Sequence, residues 1–87
     1  MPAYSVIYRP SADKALKKLP EKLQKRIVTA TEELGSNPHP IGSLKLEGED
    51  NLWRIRVGDY RIVYTIENKQ LIVLVVRIAH RRDVYRG

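Results

Sequence analysis

The chain has 87 residues and carries 16 lysines and arginines against 10 aspartates and glutamates, a formal net charge of +6. A chain this short builds one small core and has no room for a second domain, and its cationic excess favours polyanionic partners: nucleic acid, an anionic membrane surface or an acidic protein. The lack of cysteine excludes disulfides and thiolate zinc sites, and His39 and His80, the only histidines, are too few for a histidine-built metal site.

Met1-Pro2-Ala3-Tyr4-Ser5 lacks the basic and apolar regions of a signal peptide. The longest apolar run, Leu71 to Val76, is far short of a membrane span. The expectation is a soluble, cytoplasmic protein that needs no cofactor.

In chain order, Tyr4 to Tyr8 is rich in β-formers and predicts a short strand. Arg9-Pro10-Ser11 breaks it, and Ser11 predicts an N-cap with Asp13 in the first turn of a helix running to about Leu19. Ala12, Ala15, Leu16 and Leu19 form its apolar stripe. A second helix opens at Pro20, with Leu23, Ile27, Ala30 and Leu34 recurring at helical spacing and Gly35 as the expected C-cap. Ser36-Asn37-Pro38-His39-Pro40 predicts a loop, in which His39 is structural or merely solvated. Leu44 to Leu46 opens a sheet, and Glu47 to Asn51 is a polar connection.

Leu52 to Tyr64 carries the clearest signal. Apolar residues alternate with Arg54 and Arg56, a Gly58-Asp59 pair reverses the chain, and alternation resumes from Tyr60. That reversal sets Val57 opposite Tyr60, Arg56 opposite Arg61, Ile55 opposite Ile62 and Arg54 opposite Val63. Side chains alternate along a strand, so Arg54, Arg56 and Arg61 share one face, and Trp53, Ile55, Val57, Ile62 and Tyr64 take the other. Like charges directly across a hairpin are destabilising, so a domain that keeps them uses the cluster to hold an anion. A second reversal at Asn68-Lys69 leads to a last strand from Gln70 to about Ile78, apolar at nearly every position and therefore central or covered on both sides. Arg77, His80, Arg81, Arg82, Tyr85 and Arg86 follow close to the same sheet. The fold class is α+β, ordered β-α-α-β-β-β, with an antiparallel helical pair on one face of a small, twisted, mainly antiparallel sheet.

Such a face suits RNA. Guanidinium groups stay charged and grip phosphates bidentately, and Tyr85 is placed to stack on an unpaired base. RNA is cut without metal when its own 2′-OH attacks the adjacent phosphate; the protein aligns the groups, stabilises added negative charge and assists two proton transfers. Arginines serve the second task. His80 is the candidate proton-transfer group, since histidine titrates near neutrality.

Leu52 to Tyr64, together with Arg77-Ile78-Ala79-His80-Arg81-Arg82-Asp83-Val84-Tyr85, resembles the RelE toxins of the RelE/ParE superfamily over nearly the whole chain. The resemblance implies a RelE-like fold over residues 1–87 and a type II toxin–antitoxin toxin that enters the ribosomal A site and cuts mRNA there without a metal. It implies that Arg61 and Arg81 stabilise the transition-state phosphate or assist the leaving group, that Tyr85 orients the nucleotide, and that Arg54, Arg56, Lys45 and Arg82 hold RNA. Arginines stand at 54 and 56 where some relatives carry lysines. Arginine does not deprotonate, so His80 or water would serve as base. The implied partners are the ribosome with its mRNA and an acidic, partly helical antitoxin that folds on binding and supplies any contact with DNA. The competing functions are a ParE-like inhibitor of DNA gyrase and a non-catalytic basic RNA-binding module.

Overall fold

The computed structural model describes residues 3–46, 48 and 51–84. Its elements are β1 (Ser5–Tyr8), α1 (Pro10–Lys17), α2 (Glu21–Ser36), β2 (Leu44–Lys45), β3 (Leu52–Val57), β4 (Tyr60–Glu67), β5 (Ile72–His80) and α3 (Arg81–Val84). The five strands form one sheet in the order β1-β5-β4-β3-β2. β1 runs parallel to β5 and every other pairing is antiparallel. The β3–β4 register is the one the Gly58-Asp59 reversal predicts, pair for pair from Arg54↔Val63 to Val57↔Tyr60. Gly58 takes φ +60, a conformation that favours glycine.

Both long helices pack on one face of the sheet. Ile27, Thr31 and Leu34 of α2 are wholly buried, as are Ile62 and Tyr64 of β4 and Val73 and Val75 of β5. Burying each large apolar side chain stabilises the fold by about 1.5–3 kcal/mol. Thr31 is the one polar core residue among those described, and it is satisfied: its hydroxyl donates to the Val28 carbonyl at 3.0 Å and shares a 2.6 Å hydrogen bond with the Tyr8 hydroxyl. That bond ties α2 to β1.

Several boundaries differ from the expectations. α1 begins at Pro10, with Arg9 rather than Ser11 as N-cap, because proline at N1 needs no amide hydrogen and has its φ preset. It ends at Lys17 rather than Leu19. α2 continues through Gly35 to a cap at Asn37. Gly35 is buried, and its carbonyl accepts from the Tyr4 amide at 2.9 Å, so the N-terminal segment runs close against the helix there. The second reversal extends to Leu71, itself at φ 55, so β5 starts at Ile72 rather than Gln70.

One irregularity controls which residues share a face. Val63 pairs with Arg77 and Tyr64 with Val75, so Val76 is an extra residue on β5. Such a bulge inverts the side-chain alternation beyond it. Val73 and Val75 point at the helices. Past the bulge it is Ile78 that enters the core, opposite Ile62, while Arg77 and Ala79 turn to the open face. The near-continuous apolarity of β5 follows from its inner place between β1 and β4; Ile72, Leu74 and Val76 are only half-buried.

Candidate active site: an arginine-framed sheet face

On the face away from the helices the registers generate two rows across three strands. Arg54, Val63 and Arg77 form one, and Arg56, Arg61 and Ala79 the next. The rows lie two residues apart along the strands, about 7 Å. Val63 and Ala79 are buried to 7% and 6% exposure, so an apolar floor lies between four guanidinium side chains. Arg56 and Arg77 are exposed, and Arg54 and Arg61 half-buried. Arg54 is held by the loop before β2, its Nη1 donating to the Gly42 carbonyl at 3.3 Å. That loop is anchored in turn by the Tyr64 hydroxyl, which donates to the Pro38 carbonyl at 2.7 Å from inside the core. His39, on the same loop, packs edge-on against Trp53 with ring centres 4.5 Å apart, the structural one of its two expected roles.

Burial pushes the Tyr64 phenol above its ordinary value, opposed by a side-chain hydrogen bond with Ser43. Burial likewise raises Tyr8, opposed by its bond to Thr31. Both phenols therefore stay neutral donors or acceptors through the physiological range.

The remaining expected site residues fall at different places. Arg81 and Arg82 start α3 at the end of β5, beside the array, and the Arg81 amide donates to the Asp59 carbonyl at 2.7 Å, latching α3 to the β3–β4 turn. Tyr85 lies outside the described residues. His80 pairs with Tyr60 in register, so it stands on the helical side of the sheet, opposite to the arginines. Its ring meets Tyr60 edge-on at 5.1 Å, and its Nδ1 accepts the Arg82 amide at 3.2 Å. The imidazole thereby caps the first turn of α3. Lys45 pairs with Trp53, which puts it too on the side away from Arg54.

Arg77, which lies among the C-terminal cations in sequence, belongs to the array because the bulge turns it to this face. Lys22 and Arg26 on α2 belong to no motif of the sequence. Their signal was present as a polar stripe, Lys22, Lys25 and Arg26, opposite the apolar positions of α2.

Chemically, four guanidiniums around an apolar floor can hold a phosphodiester and an unstacked base or ribose together. Neither row contains a carboxylate or an imidazole. The array is equipped to bind and stabilise negative charge, with proton transfer left to groups around it.

A family model described as ParE toxin of type II toxin–antitoxin system, parDE, matches residues 6–85. Toxin RelE of Mycobacterium tuberculosis is 34% identical over 84 residues, covering 95% of this chain and 87% of that protein. A chain of the archaeal RelE–RelB complex from Pyrococcus horikoshii superposes with a TM-score of 0.81 at 29% identity, covering 98% of this chain and 99% of that one. A chain of the M. tuberculosis toxin–antitoxin complex RelBE2 gives 0.80 at 28% identity, covering 93% and 100%. The two helices on a five-stranded, mostly antiparallel sheet are the architecture these structures share. The match of both the hairpin and the fold over almost the full length shows that the chain belongs to the RelE toxins of the RelE/ParE superfamily, the toxins of type II toxin–antitoxin systems.

Proposed function

We propose that this toxin is a ribosome-dependent, metal-independent endoribonuclease that cuts mRNA in the ribosomal A site and so halts translation. The observation that carries the reading is the two-row arginine array, with Arg56 directly across from Arg61. Directly opposed like charges cost stability unless an anion neutralises them, and a phosphodiester with its developing extra charge is the anion they suit.

In the proposed reaction the substrate's 2′-oxygen forms a bond to the adjacent phosphorus and the bond from phosphorus to the 5′-oxygen breaks. One proton leaves the 2′-OH and another reaches the departing 5′-oxygen. Arg61 and Arg81 stabilise the phosphorane-like charge or assist the leaving group. Arg54 and Arg56 position the phosphates on either side, and Tyr85 stacks on the nucleotide. His80 either carries a proton or, as its hydrogen bond to the Arg82 amide supports, holds α3 so that Arg81 is correctly presented. Arginine makes a poor base, which accords with an enzyme that relies on its ribosome-bound substrate being pre-aligned.

The same reading includes an antitoxin partner. Several relatives of known structure are complexes of RelE with RelB, and a +6 toxin suits an acidic segment that folds over its basic face. The site of action is the cytoplasm, where ribosomes are; no helix among the described residues is long and apolar enough to cross a membrane.

Analysis of product ends tests the chemistry. Attack by the 2′-OH leaves a cyclic 2′,3′-phosphate and a 5′-hydroxyl; a 3′-hydroxyl with a 5′-phosphate would contradict it. A second reading, inhibition of DNA gyrase, draws on the ParE description of the family model. Gyrase supercoiling that continues in the presence of folded toxin would remove it.

A further inference from the structure

On the helical side of the β3–β4 turn, α2 and the hairpin tip flank two adjoining open clefts of about 450 and 470 Å³. Arg26 and Gly58 line both, with Arg26 Nη1 3.6 Å from the position a Cβ on Gly58 would take. One cleft adds Lys22 and His80. The other adds Lys25 and Arg56. Each also has one carboxylate on its lining, Asp59 or Glu33, so cations are in the majority.

Two features set this surface apart from an ordinary solvated helix. Lys22, Arg26 and Arg56 form no ion pair among the described residues, and Lys25 has only an exposed one, 3.5 Å from Glu21. Arg56 also belongs to the arginine array, so the two cationic surfaces meet around the hairpin tip. Apart from Arg56 they face opposite sides of a sheet, so a backbone segment held on the arginine face leaves Lys22, Lys25 and Arg26 to a second segment, which a structured RNA offers.

We propose that these clefts are a second RNA-backbone site, which grips a phosphodiester segment other than the one cut on the arginine face. The proposal rests on the RNA-cleaving reading for the first segment. Phosphate contacts of this kind supply affinity and orientation without sequence choice. A site that needs two backbone segments at a fixed separation would make a structured assembly a better substrate than free mRNA.

The test measures binding of fluorescently labelled toxin to purified, mRNA-programmed ribosomes across a salt series. Lys22→Gln/Arg26→Gln is compared with Lys14→Gln/Lys18→Gln, which removes the same charge from α1 and its C-cap. Loss of two phosphate contacts lowers the slope of log affinity against log salt by about 1.4–1.8. The cleft variant is expected to show that drop, with a rise of roughly tenfold in KM for cleavage, and the α1 variant neither. Lys22→Gln/Lys25→Gln provides a second cleft variant, and thermal melting verifies that all three fold. Equal slopes for the cleft and α1 variants, or a cleft variant indistinguishable from wild type, would overturn the proposal. So would intact ribosome binding with lost affinity for an acidic antitoxin peptide, which would assign the clefts to a protein partner. Because binding is read separately from cleavage, a wild-type protein that binds ribosomes without cutting mRNA refutes the nuclease reading and leaves this test standing.

Discussion

Tyr64→Phe separates the hydroxyl that anchors the arginine-holding loop from the ring that fills the core. The ring is fully buried and its hydroxyl donates to the Pro38 carbonyl at 2.7 Å. Phenylalanine preserves the packing and removes one hydrogen bond, a net loss of about 1 kcal/mol. For a chain of 87 residues the unfolding entropy is about 0.18 kcal/mol/K, so the melting temperature should fall by about 5–6 °C. The pH dependence gives a second handle. Burial raises the phenol above its ordinary value, so in the folded state the neutral form is favoured. The stability it contributes is complete below about pH 10, where the unfolded chain still keeps its phenols protonated. It is lost as pH rises through the folded value, because a phenolate cannot donate to a carbonyl. Thermal melts of wild type and variant from about pH 7 to 11 should therefore converge at the alkaline end. Tyr8, raised in the same direction, titrates in both proteins and drops out of the comparison. Because Pro38 and Gly42 share the loop that holds Arg54, the variant should also bind RNA more weakly at neutral pH. Melting temperatures within a degree of each other at neutral pH, or a gap that persists unchanged to the alkaline end, would refute the assignment.

Arg61→Gln should melt higher than wild type at low salt, by a gain of about 0.5 kcal/mol that shrinks as salt is added, since it removes the repulsion with Arg56 across the hairpin. A loss of stability would show that the pair is not repulsive in the folded protein. Ile62→Ala, at a wholly buried position facing Ile55 and Ile78, should cost about 2–5 kcal/mol by chemical denaturation. His80→Ala should speed hydrogen exchange at the Arg82 amide, and His80→Asn, which can still accept that hydrogen bond, should restore protection.

The hairpin was legible because its information is local. A Gly-Asp pair between alternating segments sets the reversal, and the reversal sets which arginines share a face. The helices were legible in their stripes and less so at their ends, where Pro10 and Gly35 have alternative uses and tertiary contacts choose between them. The C-terminal half of the site was not legible in the same way. A strict alternation continued from Val73 and Val75 would bury Arg77 and expose Ile78. The extra residue at Val76 inverts this, and nothing in a run of Leu, Ile and Val marks where a bulge falls. Hence Arg77 joins the array, and His80, adjacent in sequence to Arg81, points to the opposite face. Thr31 is illegible in sequence for a related reason: a polar residue on the core side of α2 becomes intelligible only where Tyr8 from β1 meets it.

The central claim is that the arginine face cuts mRNA on the ribosome, and primer-extension toeprinting on programmed ribosomes tests it most directly. Purified toxin should produce a cut in the A-site codon that persists in a metal chelator, is far weaker on the same mRNA free in solution, and collapses in Arg61→Ala and Arg81→Ala proteins that remain folded. Uncut mRNA on ribosomes incubated with folded wild-type toxin, or cleavage undiminished by both substitutions, would contradict it.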